Sequence, residues 1–550
     1  MFDDLILQLK NSVRIKKIVV LDGKLKLSVS DFVQVARNNS EMNFQLSPAH
    51  RKKIETICEQ MLRQVKSGVS IYGTNTGYGG RVENVYNQGT PKNRIENATK
   101  ISKGIVHVDV STGDAIPKDV VRGAMLIRIN TLLSGHSAVR LELLEAIRNL
   151  LNEDITPIVG RYGTVGASGD LALNGRIVST LLQERPVKVW DADGKVVSSK
   201  NILFNKGIKP INLLPKEGLA LVNGDNFSTS AAALLNYDIT ILMLTNLVVA
   251  SLTIQALKGS MRNYHKLLSD LRPHPGQLIT SNILKKLLIG SKLAYQDLQM
   301  PILGELGLPV QDPYSIRCLP QYYGPDWEGV IKNWGIIEIN MNSVSDNPLW
   351  TTPEHTEDGE KPYQWVSGGN FLAMHMAECL DSLRKVCVHI VKQNDRHLAR
   401  MVHPKFNRGL PANLSDKDAI TQSTFKGLQT QMGMYEVYAS LLGNPVTTLF
   451  GSHEEFNQDI TSHAFTSAIL AFELMKIVKY SIATNFISSC QAIDLRGGYR
   501  LLSSQTKIFY KWLRQYVPFV KYEQPLGEYV ELIADKLSDE QLVNKVLNSI

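Results

Sequence analysis

The sequence predicts a mainly α protein, a bundle of long helices with small β hairpins in its N-terminal part. Three observations predict it. Apolar-periodic stretches run over Ser228 to Met261, Ala419 to Leu442 and Thr461 to Ile493, far longer than any strand. The strand-like segments are short and cluster in the first part of the chain around Asp-Gly turns. Composition supplies the core: 43% apolar and 20% charged residues over a chain of 550, a globular balance on a large scale.

The elements follow in order. "KIVVLDGKLKLSVSDFVQVAR", from Lys17, reads as two short strands around Asp22-Gly23 and then a helix opening at Ser30 or Asp31. "RVENVYNQGTPKNRIENATK", Arg81 to Lys100, reads as a polar loop long enough to cover or line a site. A second hairpin, "VKVWDADGKVVS", turns at Asp193-Gly194. From Gly218 the long periodic stretches dominate. No repeat of 20 to 50 residues is present, and we divide the chain into an N-terminal part, 1–215, and a central and C-terminal helical part, 216–550.

Composition also excludes function classes. The net charge is +8, but the basic residues are scattered, with short clusters only at Arg14-Ile15-Lys16-Lys17 and Arg51-Lys52-Lys53, so no nucleic-acid partner is expected. Five cysteines, Cys58, Cys318, Cys379, Cys387 and Cys490, lie far apart without CxxC spacing, which points to reduced thiols and a cytoplasmic protein. The start, "MFDDLILQLKNSV", carries two aspartates where a secretory signal would be basic. Ile239 to Leu257 is uncharged for the length of a membrane span. Thr240, Thr245, Asn246, Ser251, Thr253 and Gln255 interrupt it, and we expect a buried core helix and no membrane.

The stretch "GTVGASGDLA", Gly163 to Ala172, holds one serine among Gly163, Gly166, Gly169, Ala167 and Ala172. Ser168 is not a hydrolase elbow, since G-x-S-x-G fails at Asp170. Neither G-x-G-x-x-G nor a phosphate loop is formed. His389, His397 and His403 do not share a helical face, so no metal is expected. What remains is a reaction of the backbone itself. If the Gly169 nitrogen attacks the Ala167 carbonyl carbon, a five-membered ring closes, and loss of water from the ring and from Ser168 leaves an exocyclic methylidene, an electrophile. Gly169 supplies an unhindered nitrogen and the backbone freedom to bend back.

On these residues the chain resembles the aromatic amino acid ammonia-lyase and aminomutase family, the histidine, phenylalanine and tyrosine ammonia-lyases. The resemblance continues, in order, through "IYGTNTGYGG" from Ile71, "RINTLLSGHSAVR" from Arg128, "KEGLALVNG" from Lys216, "VQDPYSIRCLPQ" from Val310, "SDNPLW" from Ser345, "GGNFL" from Gly368 and "EEFNQDI" from Glu454. It implies the ammonia-lyase (fumarase/aspartase-like) architecture, a 4-methylidene-imidazol-5-one (MIO) formed from Ala167-Ser168-Gly169 with no external cofactor, and a homotetramer whose sites are built from several subunits. It implies Tyr72 as the base that takes the β-proton. An ordinary tyrosine, with a pKa of about 10, is ionised only to about one part in a thousand at neutral pH, so positive charge and hydrogen-bond donors are expected beside it. Arg317 is implied as the clamp on the substrate carboxylate, assisted by Asn347. Asn223, Gln311 and Tyr314 form the implied polar ring around the prosthetic group. The resemblance also implies Phe371 and Leu171 as walls against the substrate ring, and Glu454 and Gln458, by motif, as members of the same pocket.

Substrate choice rests on "KGIVHVDVSTGD". His107 and Val108 stand at the implied ring-selecting pair, and a histidine followed by an aliphatic residue resembles tyrosine ammonia-lyases, where the imidazole bonds a para hydroxyl. Gln458, where histidine enzymes carry Glu, speaks against histidine as substrate. The reading is elimination of ammonia from L-tyrosine to give 4-coumarate. Phenylalanine as substrate giving cinnamate, an aminomutase giving a β-amino acid, and a catalytically degenerate helical scaffold remain as alternatives. Three positions depart from the family pattern: Leu173 for proline, Asp225 for threonine, and Leu372 for His or Met. Asp225 adds a carboxylate two residues from Asn223, placed to disfavour an ionised Tyr72 or to alter the substrate.

Overall fold

The computed structural model describes residues 2–13, 18–295, 310–449 and 451–550, so the Arg14–Lys17 cluster lies outside the described residues. Its frame is a set of long helices, Asn226–Ala256, Leu319–Met341, Met374–Val402, Thr424–Leu442 and Ala464–Leu495. The three long periodic stretches read in the sequence correspond to the first, fourth and fifth of these, with ends shifted by a few residues. The apolar run 239–257 falls at the end of the Asn226 helix, whose most apolar window is wholly buried inside the protein. One apolar cluster extends from Leu5 to Leu547.

Hydrogen bonds along the bundle give its directions. Asn394 Nδ2 donates to Asn246 Oδ1 at 2.9 Å and Asn485 Nδ2 donates to Asn394 Oδ1 at 2.9 Å. Each of these asparagines lies about twenty residues into its helix, so the Asn226, Met374 and Ala464 helices run parallel and in register, meeting roughly 30 Å from their starts. A shift by one turn would strand several buried amides, each costing about 1–3 kcal/mol, and so the polar layer holds the alignment. The return paths are antiparallel. Tyr323, near the start of the Leu319 helix, donates to Gln393 beside Asn246, whereas Asn340, near its end, reaches Asp225 and Thr229. Arg384 bonds the Leu442 carbonyl, so the Thr424 helix also runs back. In consequence, three long helices begin at one end of the bundle.

His397 sits in this core, bonded to the Ser315 carbonyl at 2.7 Å and to Gln393 at 2.7 Å. His389 instead pairs with Asp326 at 2.8 Å, and His403 stacks on Phe406. Burial pushes the His397 pKa from 6.5 down to about 4. Between these values the unfolded chain binds a proton that the folded chain does not. Stability is therefore full above about pH 6.5 and falls as the pH drops towards 4, by about 1.4 kcal/mol per pH unit. Thermal unfolding from pH 7 to 5 should show this slope and His397→Asn should flatten it; an identical slope in the variant would contradict the assignment.

The β elements are small. Lys188–Trp190 and Val196–Ser198 form the expected hairpin, and Thr156–Pro157 adds to it. Asp191 Oδ1 accepts the Asp193 and Lys195 amides and holds its turn. The expected hairpin at Asp22-Gly23 does not form. Val19–Leu21 pairs in parallel with Met42–Phe44, with the helix Val29–Arg37 between them. The Leu27 amide and carbonyl are taken by the Asn342 side chain, at 2.7 and 2.9 Å, which leaves no partner strand after the turn. The helix is capped two to three residues earlier than read: Ser28 caps it by accepting from the Asp31 amide at 3.1 Å. Half of the polar stretch Arg81 to Lys100 is also not loop. Thr90, the N-cap, and Asn93, in the first turn, form a capping box around Pro91 that opens the helix Pro91–Ile105.

Candidate active site

The Gly163–Ala172 stretch lies where the long helices begin. The helix Leu171–Leu182 starts within its last two residues, directly after Asp170. The Asp170 amide donates to the Gly224 carbonyl at 2.7 Å, just before the Asn226 helix. The amides of Ala373 and His463, which precede the other two long helices, donate to Gly166 O (3.4 Å) and Val165 O (2.9 Å). Four helix N-termini therefore converge on Ala167-Ser168-Gly169, a setting that favours developing negative charge. Two glycines are required by contact. Gly166 and Gly169 have φ of 70° and 63°. A Cβ on Gly166 would lie 2.1 Å from Ser462 Oγ, and one on Gly169 would lie 2.3 Å from the Gly224 carbonyl carbon.

Ser168 is half-buried, and its Oγ accepts from Gln458 Nε2 at 2.9 Å. Gln458 stands at the foot of a narrow hairpin closed by paired His453 and Gln458 backbone bonds of 3.0 and 3.1 Å. At its tip Glu454, Glu455 and Phe456 all adopt left-handed φ, 52°, 57° and 64°, a strained turn for residues with side chains. That turn presses the Glu454 carboxylate against Gly79, where a Cβ would meet it at 1.8 Å. Glu455 pairs with Arg81 at 2.8 Å. Tyr72 belongs to the same assembly, since its hydroxyl accepts the Gly79 amide at 3.1 Å. Tyr72, Ser168, Glu454 and Gln458, distant in sequence, are thus linked through one hairpin.

Within this chain the Tyr72 pKa is raised, first by burial and further by the Glu454 charge; the Gly79 amide opposes them. The Gly79 amide is one of the hydrogen-bond donors expected beside Tyr72, but these surroundings alone do not give the expected lowering. Asp225 is not the cause. Its Oδ2 accepts from Asn340 at 2.9 Å and Arg128 lies beside it, so it acts on the neighbouring Asp170. Burial, then the Asp225 charge, pushes Asp170 up to about 7, although the Ser228 amide and hydroxyl hold its oxygens at 2.8 and 2.9 Å.

Below the loop lies a buried charge network that sequence reasoning missed. Asn223 Nδ2 donates to Asp346 Oδ1 at 3.2 Å and more weakly to the Asn347 carbonyl at 3.4 Å. Lys216 Nζ pairs with Asp346 at 2.8 Å, both fully buried. Arg128 holds the Ser345 carbonyl at 2.9 Å. These cations and acids lie inside motifs already quoted, and charged residues within such motifs were the available signal. Asn347 Oδ1 accepts the Gly368 amide at 2.9 Å and so ties down the turn that carries Phe371 and Leu372, both half-buried. Leu171 is half-buried on the first turn after the reactive segment, and Leu173 is wholly buried. His107 is exposed and Val108 half-buried in the turn Val106–Val108. That turn packs on the Leu171 helix, where Asp109 pairs with Arg176 at 3.0 Å.

Gln311, Tyr314 and Arg317 are elsewhere. With its carbonyl towards the guanidinium, Gln311 accepts from Arg317 Nε at 3.2 Å and Nη2 at 2.9 Å. Arg317 lies over the Tyr314 ring, 4.4 Å from its centroid. Tyr314 is 72% exposed. The next residue, Ser315, bonds His397 near the end of the Met374 helix, whereas Ala373 at its start touches Gly166. That helix separates the two clusters by roughly 35 Å. One chain therefore does not bring Arg317 to Ser168.

The aromatic amino acid lyase family model matches residues 27–515. Phenylalanine ammonia-lyase of Nostoc punctiforme is 32% identical over 481 residues, covering 87% of this chain and 82% of that protein. Phenylalanine/tyrosine ammonia-lyase of Rhodotorula toruloides is 33% identical, covering 87% and 67%. The crystal structure of a tyrosine aminomutase from Streptomyces globisporus superimposes with a TM-score of 0.85 at 26% identity, over 97% of this chain and 99% of that one. With the helical bundle and the ordered motifs, these likenesses show that the chain belongs to the aromatic amino acid lyase family of ammonia-lyases and aminomutases, and is a carbon–nitrogen lyase.

Proposed function

We propose that the chain is an ammonia-lyase that converts L-tyrosine to 4-coumarate and ammonia, with MIO formed from its own Ala167-Ser168-Gly169 and sites completed by a second subunit of a homotetramer. The observation that carries this reading is the half-site itself: a bent, side-chain-poor tripeptide at the meeting of helix N-termini, joined through one hairpin to Tyr72. The tripeptide fits the group, because Gly169 stands where any Cβ would strike Gly224. When present, the group supplies an electrophile towards the substrate amine, which makes ammonia a better leaving group.

The chain's residues supply the rest. Tyr72 oxygen takes the β-proton, and the Gly79 amide stabilises that oxygen as its charge grows. Burial and Glu454 oppose this ionisation, and a cation brought to the site offsets them. Arg317 of another copy supplies that charge and clamps the substrate carboxylate with its planar fork. Gln311 and Tyr314 travel with it, since both are packed against that guanidinium. Asn223, fixed by Asp346, directly precedes Gly224, whose carbonyl accepts the Asp170 amide, and so stands beside the reactive loop as its polar neighbour. His107 selects the para hydroxyl of tyrosine and Val108 packs against the ring, with Leu171 and Phe371 as further walls. Phenylalanine is the second reading, favoured by the activity named for the Nostoc punctiforme relative.

The test is separate incubation with L-tyrosine, L-phenylalanine and L-histidine, following acrylate absorbance and ammonia. Tyrosine should be preferred by at least about tenfold, because a site built to bond a hydroxyl is left unpaired by the analogue without it. Equal turnover of phenylalanine overturns the role of His107, and accumulation of a β-amino acid overturns lyase in favour of aminomutase.

A further inference from the structure

The residues that bend the reactive segment are not the ones that react. Thr164 Oγ1 donates to the Gly169 carbonyl at 2.6 Å and accepts the Gly166 amide at 3.0 Å. One hydroxyl thereby ties together positions three residues apart. Ser462 Oγ, just before the Ala464 helix, donates to the Gly166 carbonyl at 3.0 Å. On the far side, the Asp170 amide is held by Gly224 O at 2.7 Å. Of the two peptide units flanking the tripeptide, Gly169–Asp170 is therefore pinned at both its oxygen and its nitrogen, and Gly166–Ala167 at its oxygen. Gly166–Ala167 is held through the Gly166 carbonyl, with the Gly166 amide fixed beside it; Gly169–Asp170 is held through the Gly169 carbonyl and the Asp170 amide. The peptide units between them, Ala167–Ser168 and Ser168–Gly169, are the ones that must fold onto each other.

We propose that Thr164 is the positioning residue for self-cyclisation of this chain, its hydroxyl holding Gly166 and Gly169 together while Ser462 anchors the loop to the bundle. The inference rests on the proposed MIO. In the cyclisation a bond forms between Gly169 N and the Ala167 carbonyl carbon. The Ala167 oxygen leaves as water with the hydrogens of the Gly169 and Ser168 amides, and C=N forms between Ala167 C and Ser168 N. A second water takes the Ser168 hydroxyl and its α-hydrogen, which leaves the methylidene. No oxidant or external reagent is needed. Thr164 exchanges no atom in this sequence. It confines the ends so that the attacking nitrogen and the carbonyl carbon spend more time in contact, an effect in which small displacements cost large factors in rate.

The test follows the intact mass of the full-length chain after a pulse of cell-free synthesis, with the melting temperature as the measure of folding. Thr164→Val, which keeps shape and removes the hydroxyl, should lose its two waters about 100-fold more slowly than the natural chain. Thr164→Ser should restore the rate. A folded Thr164→Val chain that matures at the natural rate overturns the proposal. If Thr164→Val does not fold, Ser462→Ala decides: maturation slowed by about tenfold is expected, and an unchanged rate overturns it. A natural chain that keeps its full encoded mass instead defeats the MIO reading itself, which separates the two failures.

Discussion

Ser168→Ala is expected to leave a folded protein with no near-ultraviolet band from the prosthetic group and with ammonia release reduced by roughly 10³-fold or more. The Ser168 hydroxyl is the only source of the second water and its β-carbon the only source of the methylidene, so the electrophile cannot form without it. The side chain is half-buried and accepts a 2.9 Å hydrogen bond from Gln458. Losing that bond costs about 1 kcal/mol, too little to unfold a bundle this large. Absorbance, intact mass and turnover can be compared on the same preparation. A variant that keeps the band, or keeps turnover, would show that the reactive centre lies elsewhere.

The second large effect is complementation. Arg317→Ala should by itself lower turnover by about 10²-fold or more, since it removes a charged clamp whose partner is then left unpaired. Mixed during refolding or co-expressed, Ser168→Ala and Arg317→Ala chains should regain activity. In a symmetric oligomer with the loop from one copy and the guanidinium from another, about a quarter of randomly assembled sites have both parts intact. With Arg317 in its proposed role, a shared site is expected because the Met374 helix stands between Arg317 and Ser168 in each chain. If each site were built from one chain, every mixed site would carry one defect and no activity would return.

Much of the candidate site could be proposed from the sequence because its chemistry selects residue types that are conspicuous in print. Ala167-Ser168-Gly169 stands out through the scarcity of side chains around it, and Tyr72, Asn223 and Gln458 lie in motifs that resemble a family. Long helices were legible from uninterrupted apolar periodicity, as in the Asn226 and Ala464 helices. What escaped depends on contacts between distant segments. The Asp22-Gly23 turn looks like a hairpin until Asn342, 315 residues away, takes the Leu27 backbone bonds. Lys216 and Asp346 look like surface charges until both are wholly buried against each other. The Pro91–Ile105 helix hid behind polar composition, and only the Thr90–Asn93 box announced it. Tyr72 was expected to be acidified by neighbours, and the neighbours in its own chain do the reverse. That difference agrees with the proposal that Arg317 of another copy completes the site.

The central claim is that this chain makes its electrophile from its own backbone, and the intact mass of the purified protein tests it most directly. The account predicts a mass lower than that encoded by two waters, with the deficit localised to the peptide that contains Ala167-Ser168-Gly169. A protein that retains its full encoded mass would contradict it.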